Sequence, residues 1–599
     1  MIQQLRHLAA LFPRRDHYKF AFLLFLMIVG AVLEMAGIGI IPAFAGIIVY
    51  PDKVLAYPVV GDTLKRLNID TPQRLLLAGS AAVFVVFLIK NGFMAVNFVL
   101  QARFATNRMV QLRTRLFNAY MDASYPFHLQ RNSAELMRNA GSEATQIGRS
   151  VLPKLLDFLT AVILFISVLL MLFVVQPVAA GIMFAALGSA GGLFVWKTQR
   201  VLHRAGHKAQ EERKNSVRIL KESLMGIKEA RVLGCESAFA AAFHKSASIS
   251  ARAVRKVLIF QKMGQPYLET VGIATILLVV LLLVFWLGFT VAETLPILGL
   301  FAVALGRLRG AMGKLTQSVG TLRFQMVSIE PVYRDLKLLE AEPGQRKLQD
   351  SDSPLPLNKE LAVESVTFFY ENTDTPALKD ISLTIPRGTS VAFVGATGSG
   401  KTTLVDVILG LLTPTEGHVR VDGVDVHAHW AAWHKNIGYI PQEIHLLDDT
   451  IARNVALGIP DKDIDRNALQ AALDAAHLSW FIERLPNGLD TVVGDRGVRI
   501  SGGQRQRIGI ARALYHNPDV LIMDEATASL DNATEKAVVA AVEELKGDRT
   551  LITIAHRLST VQNCDCLYFL NEGCLEDRGT YSELLQRCQQ FREMSQARA

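Results

Sequence analysis

The sequence predicts an α-helical membrane domain with six transmembrane helices, followed by an α/β P-loop nucleotide-binding domain. Three observations predict it. Long uncharged apolar runs are confined to the chain before about Leu305, a glycine-rich loop ending in Lys401-Thr402 follows a strand-like run, and a second apolar strand ends in Asp524-Glu525. With 599 residues, half of them apolar, the chain exceeds one ordinary domain. Residues 1–330 are read as the membrane domain, 331–360 as a linker and 361–599 as the nucleotide-binding domain.

A helix crosses the hydrocarbon core in ~20 residues. Runs of that order lie at Phe20–Val49, Leu75–Val99, Leu155–Val174, Pro177–Trp196, Val271–Gly288 and Leu295–Leu308. The connections after the second and fourth runs, Arg103–Lys154 and Lys197–Gln265, are long, helical by periodicity and basic. Between Gln199 and Lys262 stand fourteen Lys or Arg against five Asp or Glu. Positive-inside topology explains this excess, and with it the formal charge of +8, better than nucleic-acid binding does. Both long connections and both chain ends are therefore cytoplasmic. Each connection holds a turn-like interruption, at Tyr125-Pro126 and at Gly226, where a short helix contacts another domain. The outward segment Asp52–Arg74 is too polar to span and reads as a short external helix. Four of the five cysteines fall in the cytoplasmic part and are expected as free thiols. The spacing Cys564-Asp565-Cys566 is too tight for a zinc site, so no metal is assigned to it.

Ionisable residues inside spans cost about 2.5 to 3.5 kcal/mol on insertion at the centre, so each needs a reason. Glu34 sits among the small residues Ala36, Gly37 and Gly39, which permit close helix contact. Glu269 follows Pro266 at the entrance to the fifth span. Arg307 and Arg309 end the sixth run, where they either snorkel to the interface or form a cationic wall for an anionic substrate. Lys90 lies midway along the second span. Glu34, Glu269, Arg307 and Arg309 are the candidate substrate residues; for the two glutamates, interhelix bonding and a headgroup-level position stand as structural alternatives.

In the second half, the strand Val391–Val394 runs into Gly395-Ala396-Thr397-Gly398-Ser399-Gly400-Lys401-Thr402, a match to G-x-x-x-x-G-K-[ST], with Thr403 opening the apolar helix Thr403–Leu411. Glycines let backbone N–H groups surround phosphate oxygens, Lys401 reaches the β/γ-phosphates of ATP, and Thr402 ligates Mg2+. Asp524, at the end of the strand Val520–Asp524, is a second magnesium ligand. Glu525 beside it is placed to polarise the attacking water. Before them, Ser501-Gly502-Gly503-Gln504 prefaces a helix at Arg507–Leu514 and makes a second anion-ready helix start.

These residues resemble the ATP-binding cassette family, whose Ser-Gly-Gly-Gln signature is far more specific than a phosphate loop. The resemblance implies further roles. Tyr370 stacks on adenine, Gln442 senses magnesium and the attacking water, Asp531 communicates across a dimer, and His556 contacts the γ-phosphate. Gly494-Asp495-Arg496-Gly497 resembles the exporter segment that touches the coupling helices, with Asp495 where Glu is usual. It also implies an exporter-type six-helix membrane domain with coupling helices near Tyr125–Ala134 and Gly226–Val232. One cassette cannot complete a site alone, so a homodimer through both domains is expected.

The cassette motifs handle ATP and leave the cargo open. In the membrane half, Leu33–Gly39, the outward segment and Pro266-Tyr267-Leu268-Glu269 resemble the flippases of lipid-linked oligosaccharides that serve bacterial N-glycosylation. This implies a multi-pass protein of the bacterial inner membrane that moves a polyprenyl-pyrophosphate oligosaccharide from the cytoplasmic to the outer leaflet. Arg307 and Arg309 would face the pyrophosphate. Export of another lipid, glycolipid, drug or peptide preserves every motif and stays open. Nucleic acid is not an expected partner.

Overall fold

The computed structural model describes residues 2–49, 71–285, 291–341, 353–371, 373–494, 497–498, 500–524, 540, 542–555 and 561–597. Most of the outward segment Asp52–Arg74 lies outside them. The chain forms two compact units: Met1–Ala123 with Arg131–Gln345, and Ser124–Gln130 with Arg346–Ala599.

Among the described residues the first unit's elements are all helices. Its long helices are Arg14–Val49, Pro72–Met121, Pro177–Met225, Glu236–Phe285 and Val291–Gln325. A further helical rod runs from Ser133 to Val175 with π-turns at Asn139–Glu143 and Ile147–Val151. Each expected span falls inside one of these helices as far as it is described. Among the described residues, five helices are long and apolar enough to cross a membrane. The sixth expected run, Leu295–Leu308, lies in the helix Val291–Gln325. Ile38, Leu172, Met183, Leu187 and Phe301 pack into a buried centre. Outside it, large apolar side chains such as Phe22, Phe25, Phe84, Leu88 and Leu170 are exposed. A surface this apolar is suited to lipid, where helices satisfy their own backbone groups. The helix Ile329–Ala341 occupies the first part of the stretch read as linker.

The second unit is α/β. Strands β1 (Glu360–Phe368), β2 (Leu378–Pro386), β4 (Glu416–Val421) and β5 (Val424–Asp425) form an antiparallel sheet in the order β2-β1-β4-β5. A six-stranded sheet combines β3 (Ser390–Gly395), β6 (Ile437–Ile440), β7 (Val520–Asp524), β8 (Thr550–Ile554), β9 (Cys566–Asn571) and β10 (Cys574–Gly579) in the order β10-β9-β3-β8-β7-β6. Strands β9, β3, β8, β7 and β6 run parallel, and β10 is the antiparallel edge. All six residues of β3 are buried, as expected for a strand covered on both faces. The phosphate loop leaves the end of β3 and Asp524 ends β7, with β8 between them. Both thus emerge at the carboxyl edge, where parallel sheets bind ligands. The short helix Tyr125–Gln130 belongs to this unit: Tyr125 packs on its core, and Gln130 Nε2 donates to Glu371 Oε2 at 2.7 Å.

Candidate functional site

The phosphate loop depends on backbone that only glycine supplies. Gly400 has φ +96°, and a Cβ there would stand 2.8 Å from Ala377 O. A Cβ on Gly395 would stand 2.2 Å from Leu570 O. Ala396, Thr397 and Gly398 are exposed, while Ser399 is buried. The following helix, Lys401–Ile408, has Gly400 as its N-cap and no capping side chain. Its first-turn N–H groups are therefore left for an anion. Lys401 Nζ curls over the loop and donates to Gly395 O at 3.1 Å and Ala396 O at 2.8 Å. Ser399 Oγ is buried with no hydrogen-bond partner among the described residues, an orphan that a phosphate oxygen satisfies.

Tyr370 is tied to this loop. Its hydroxyl is 3.0 Å from Thr403 Oγ1, and its ring meets Phe368 edge-on with centroids 5.0 Å apart. Thr402 is exposed on the first turn, Asp524 is half-buried at the end of β7, and Gln442 lies on an exposed loop after β6. An uncapped helix start, an orphaned hydroxyl, a lysine, a threonine and a strand-end aspartate together suit a magnesium-bound nucleoside triphosphate. Glu525, Asp531, His556 and Asp495 lie outside the described residues.

Around Asp524 the structure gathers Asp406 and Tyr439, which sequence reasoning did not single out, and Tyr125, which it read only as part of a contact segment. Asp406, on the phosphate-loop helix, is buried; burial first and the Asp524 charge second push its carboxyl up to about 6. Tyr125 is pushed above its usual value by burial and then by Asp406, Tyr370 and Asp524. Tyr439 is raised by burial and then by Asp524, Asp406 and Tyr125. The Tyr125–Gln130 helix thus touches the electrostatics of the nucleotide site.

The signature helix is Gly502–Leu514, starting five residues before the expected Arg507. Ser501 is its N-cap. Its Oγ accepts from Gln504 N–H at 3.3 Å, and Gln504 Oε1 accepts from Ser501 N–H at 2.8 Å. This capping box offsets the two glycines, and Gly502 and Gly503 still offer N–H groups at the helix start.

In the membrane unit the candidate substrate residues meet one another. Glu34 Oε1 lies 2.9 Å from Arg307 Nε and Glu34 Oε2 lies 2.9 Å from Lys90 Nζ. Glu34 and Lys90 are buried, whereas Arg307 is 42% exposed. Gly37 makes room for this, since a Cβ there would be 3.3 Å from Lys90 Cδ. Arg309 Nη1 pairs with Glu269 Oε1 at 2.5 Å. The two arginines are therefore paired rather than bare, and Lys90, left unassigned by the sequence, joins Glu34.

An apolar helical unit and an α/β unit with a phosphate loop, a strand-end aspartate and a glycine-started second helix define a membrane-bound nucleotidase. Residues 20–308 match the ABC transporter transmembrane region, and residues 378–528 match the ABC transporter ATP-binding model. An ATP-dependent lipid A-core flippase of Nitrosococcus oceani is 30% identical over 84% of this chain and 83% of its own. A protein of the same name from Cupriavidus metallidurans is 29% identical over 92% and 91%. A solved bacterial Atm1-family ABC exporter with ATP bound has the same fold, with a TM-score of 0.76 at 24% identity, over 97% of this chain and 98% of that one. The chain belongs to the ABC transporter family. It is an ATPase coupled to transmembrane transport, with an exporter-type fold that joins a transmembrane domain to a cytoplasmic nucleotide-binding domain.

Proposed function

We propose that two copies of this chain form an ATP-driven flippase that moves an anionic, lipid-anchored glycan, of the polyprenyl-pyrophosphate oligosaccharide type, from the cytoplasmic to the outer leaflet. The observation that carries this reading is the sharing of Glu34 between Lys90 and Arg307. Two cations meet one carboxylate, so among the described residues one positive charge is left over beside the apolar helices. Such a charge is costly in hydrocarbon and cheap beside a phosphate. Arg309 with Glu269 is a neutral pair and adds no net charge.

In each copy, Gly395–Thr402 cradles the phosphates, Tyr370 stacks on the base and Ser501–Gln504 of the other copy closes the site. Thr402, Gln442 and Asp524 are the residues that would hold Mg2+, which neutralises phosphate charge when bound. Glu525 polarises the attacking water, His556 contacts the γ-phosphate and Asp531 links the two sites. Closure reaches the membrane helices through Tyr125–Gln130 and Ile227–Val232. The names of the relatives favour a second cargo, a lipid A-core glycolipid.

ATP turnover in nanodiscs, measured with a polyprenyl-pyrophosphate oligosaccharide, a lipid A-core glycolipid and a neutral glycolipid, tests the reading. Stimulation by the first is expected. Stimulation by the second alone transfers the assignment to that glycolipid, and stimulation by the neutral lipid alone contradicts an anionic cargo.

A further inference from the structure

Gln442 lies on the loop between β6 and the short helix Ile451–Val455, and the chain on both sides of it is seated on the signature helix Gly502–Leu514. On the strand side, a Cβ at Gly438 would stand 2.5 Å from Ala513 O, so a glycine is needed for β6 to come this close to the end of that helix. On the far side, a Cβ at Gly509 would stand 2.0 Å from Ile444 Cδ1 and 2.9 Å from its Cγ1. Ile444 therefore fills the space that the missing side chain leaves in the helix surface.

Arg512 completes the arrangement. Its Nη1 donates to His445 O at 3.0 Å, its Nε to Asn454 O at 2.7 Å and its Nη2 to Asn454 Oδ1 at 3.3 Å. Asn454 is fully buried and holds the loop in turn. Its Oδ1 accepts from Leu447 N–H at 2.8 Å, and its Nδ2 donates to Leu447 O and Thr450 O, each at 3.0 Å. One guanidinium thus grips two backbone carbonyls and an amide of the segment 445–454. The planar fork of arginine suits three fixed acceptors, whereas the single ammonium of lysine on its flexible stem does not match all three. Arg512 stands in the last turn of the helix that Ser501 caps, about 16 Å along the axis from that cap. It reaches Ser501 only through the helix.

We propose that Arg512 is a positioning residue for ATP hydrolysis: it fixes the signature helix to the loop that carries Gln442, so that Ser501 and Gln442 keep a set separation within one copy. This rests on the reading that Ser501–Gln504 closes the nucleotide site of the other copy. One brace then aligns the water-sensing group of one site with the closing helix start of the other. Each copy's own ATP-binding groups, Gly395–Thr402 and Tyr370, lie on other elements and do not depend on it.

The test uses the full chain in nanodiscs, with ATP turnover, equilibrium binding of a fluorescent ATP analogue and the thermal midpoint measured on each variant. Arg512→Lys is expected to lower kcat by about 10- to 100-fold while the Kd of the analogue stays within about twofold of the parent. Gly509→Ala leaves Arg512 in place and drives Ile444 from its seat, so it is expected to lower kcat as well. Adding Ile444→Ala removes the clashing atoms and is expected to restore most of the lost kcat. Parent-like kcat in Arg512→Lys, an equal loss of analogue binding, a Gly509→Ala defect that Ile444→Ala does not relieve, or kcat losses that track a falling midpoint overturn the proposal. Ser501→Ala separates the two readings. Parent-like turnover in that variant overturns the shared site itself, and impaired turnover there beside a parent-like Arg512→Lys overturns the brace alone.

Discussion

Lys90 and Glu34 form an ion pair of 2.9 Å between two helices, with both side chains less than a tenth exposed. Removing one partner of such a pair leaves a charge buried without compensation. Glu34→Gln is therefore expected to destabilise the membrane unit by about 3–5 kcal/mol, since it strands Lys90 and unties Arg307. Denaturant unfolding in detergent measures this, and a loss under ~1 kcal/mol would show that lipid or water already solvates Lys90.

At the nucleotide site the ring and the hydroxyl of Tyr370 have separable effects. Tyr370→Phe loses one neutral hydrogen bond to Thr403, so the KM for ATP is expected to rise by less than about tenfold. Tyr370→Ala also loses the stacking surface, worth roughly 1–3 kcal/mol, which corresponds to a rise of ~5- to 150-fold. Both leave kcat near that of the parent at saturating ATP. A large kcat effect with unchanged KM would remove Tyr370 from base recognition.

Asp406 predicts a pH effect with an inverted sign for a carboxylate. Its pKa is raised from the ordinary 3.8 to about 6, by burial first and by Asp524 second. The folded chain therefore holds this proton more tightly than the unfolded chain. The stability linked to it is present below about pH 4 and is lost as the pH rises through 6. Asp406→Asn removes that loss. Without nucleotide and magnesium it should be more stable than the parent at pH 7.5 and equal to it at pH 4. Thermal unfolding across this range checks the prediction, and equal midpoints at pH 7.5 would contradict it.

Glu525→Gln keeps the size of the side chain and removes the carboxylate. ATP binding is expected to persist while hydrolysis falls by about 10²- to 10⁴-fold. Single-turnover hydrolysis with a parallel binding measurement separates the two steps. Near-normal turnover would assign the water-polarising role elsewhere.

Features whose chemistry lies in consecutive residues were legible in the sequence. The phosphate loop and the strand ending at Asp524 were read within a residue or so of their observed bounds. The signature helix was read as starting at Arg507 because two glycines hide a start whose stability comes from the reciprocal Ser501 and Gln504 bonds. The turn at Tyr125-Pro126 pointed to a contact segment, and Ser124–Gln130 groups with the α/β unit. The partners of Glu34 were not legible. Sequence marks Glu34, Lys90 and Arg307 as costly charges, but the registers of three helices decide which of them meet. Asp406 was invisible for a related reason: on a helix it looks like a solvated carboxylate, and only its tertiary surroundings bury it.

On the proposed function, ATP turnover drives an anionic lipid-anchored glycan across the membrane through the region of Glu34, Lys90 and Arg307. The most direct measurement is flipping of a fluorescent polyprenyl-pyrophosphate oligosaccharide in proteoliposomes, read by its protection from an external quencher, with parent protein, Lys401→Ala and Arg307→Ala. Expected are ATP-dependent protection with the parent, none with Lys401→Ala, and a loss with Arg307→Ala that exceeds its loss of ATP turnover. Protection that is independent of ATP, or undiminished in Arg307→Ala, would contradict it.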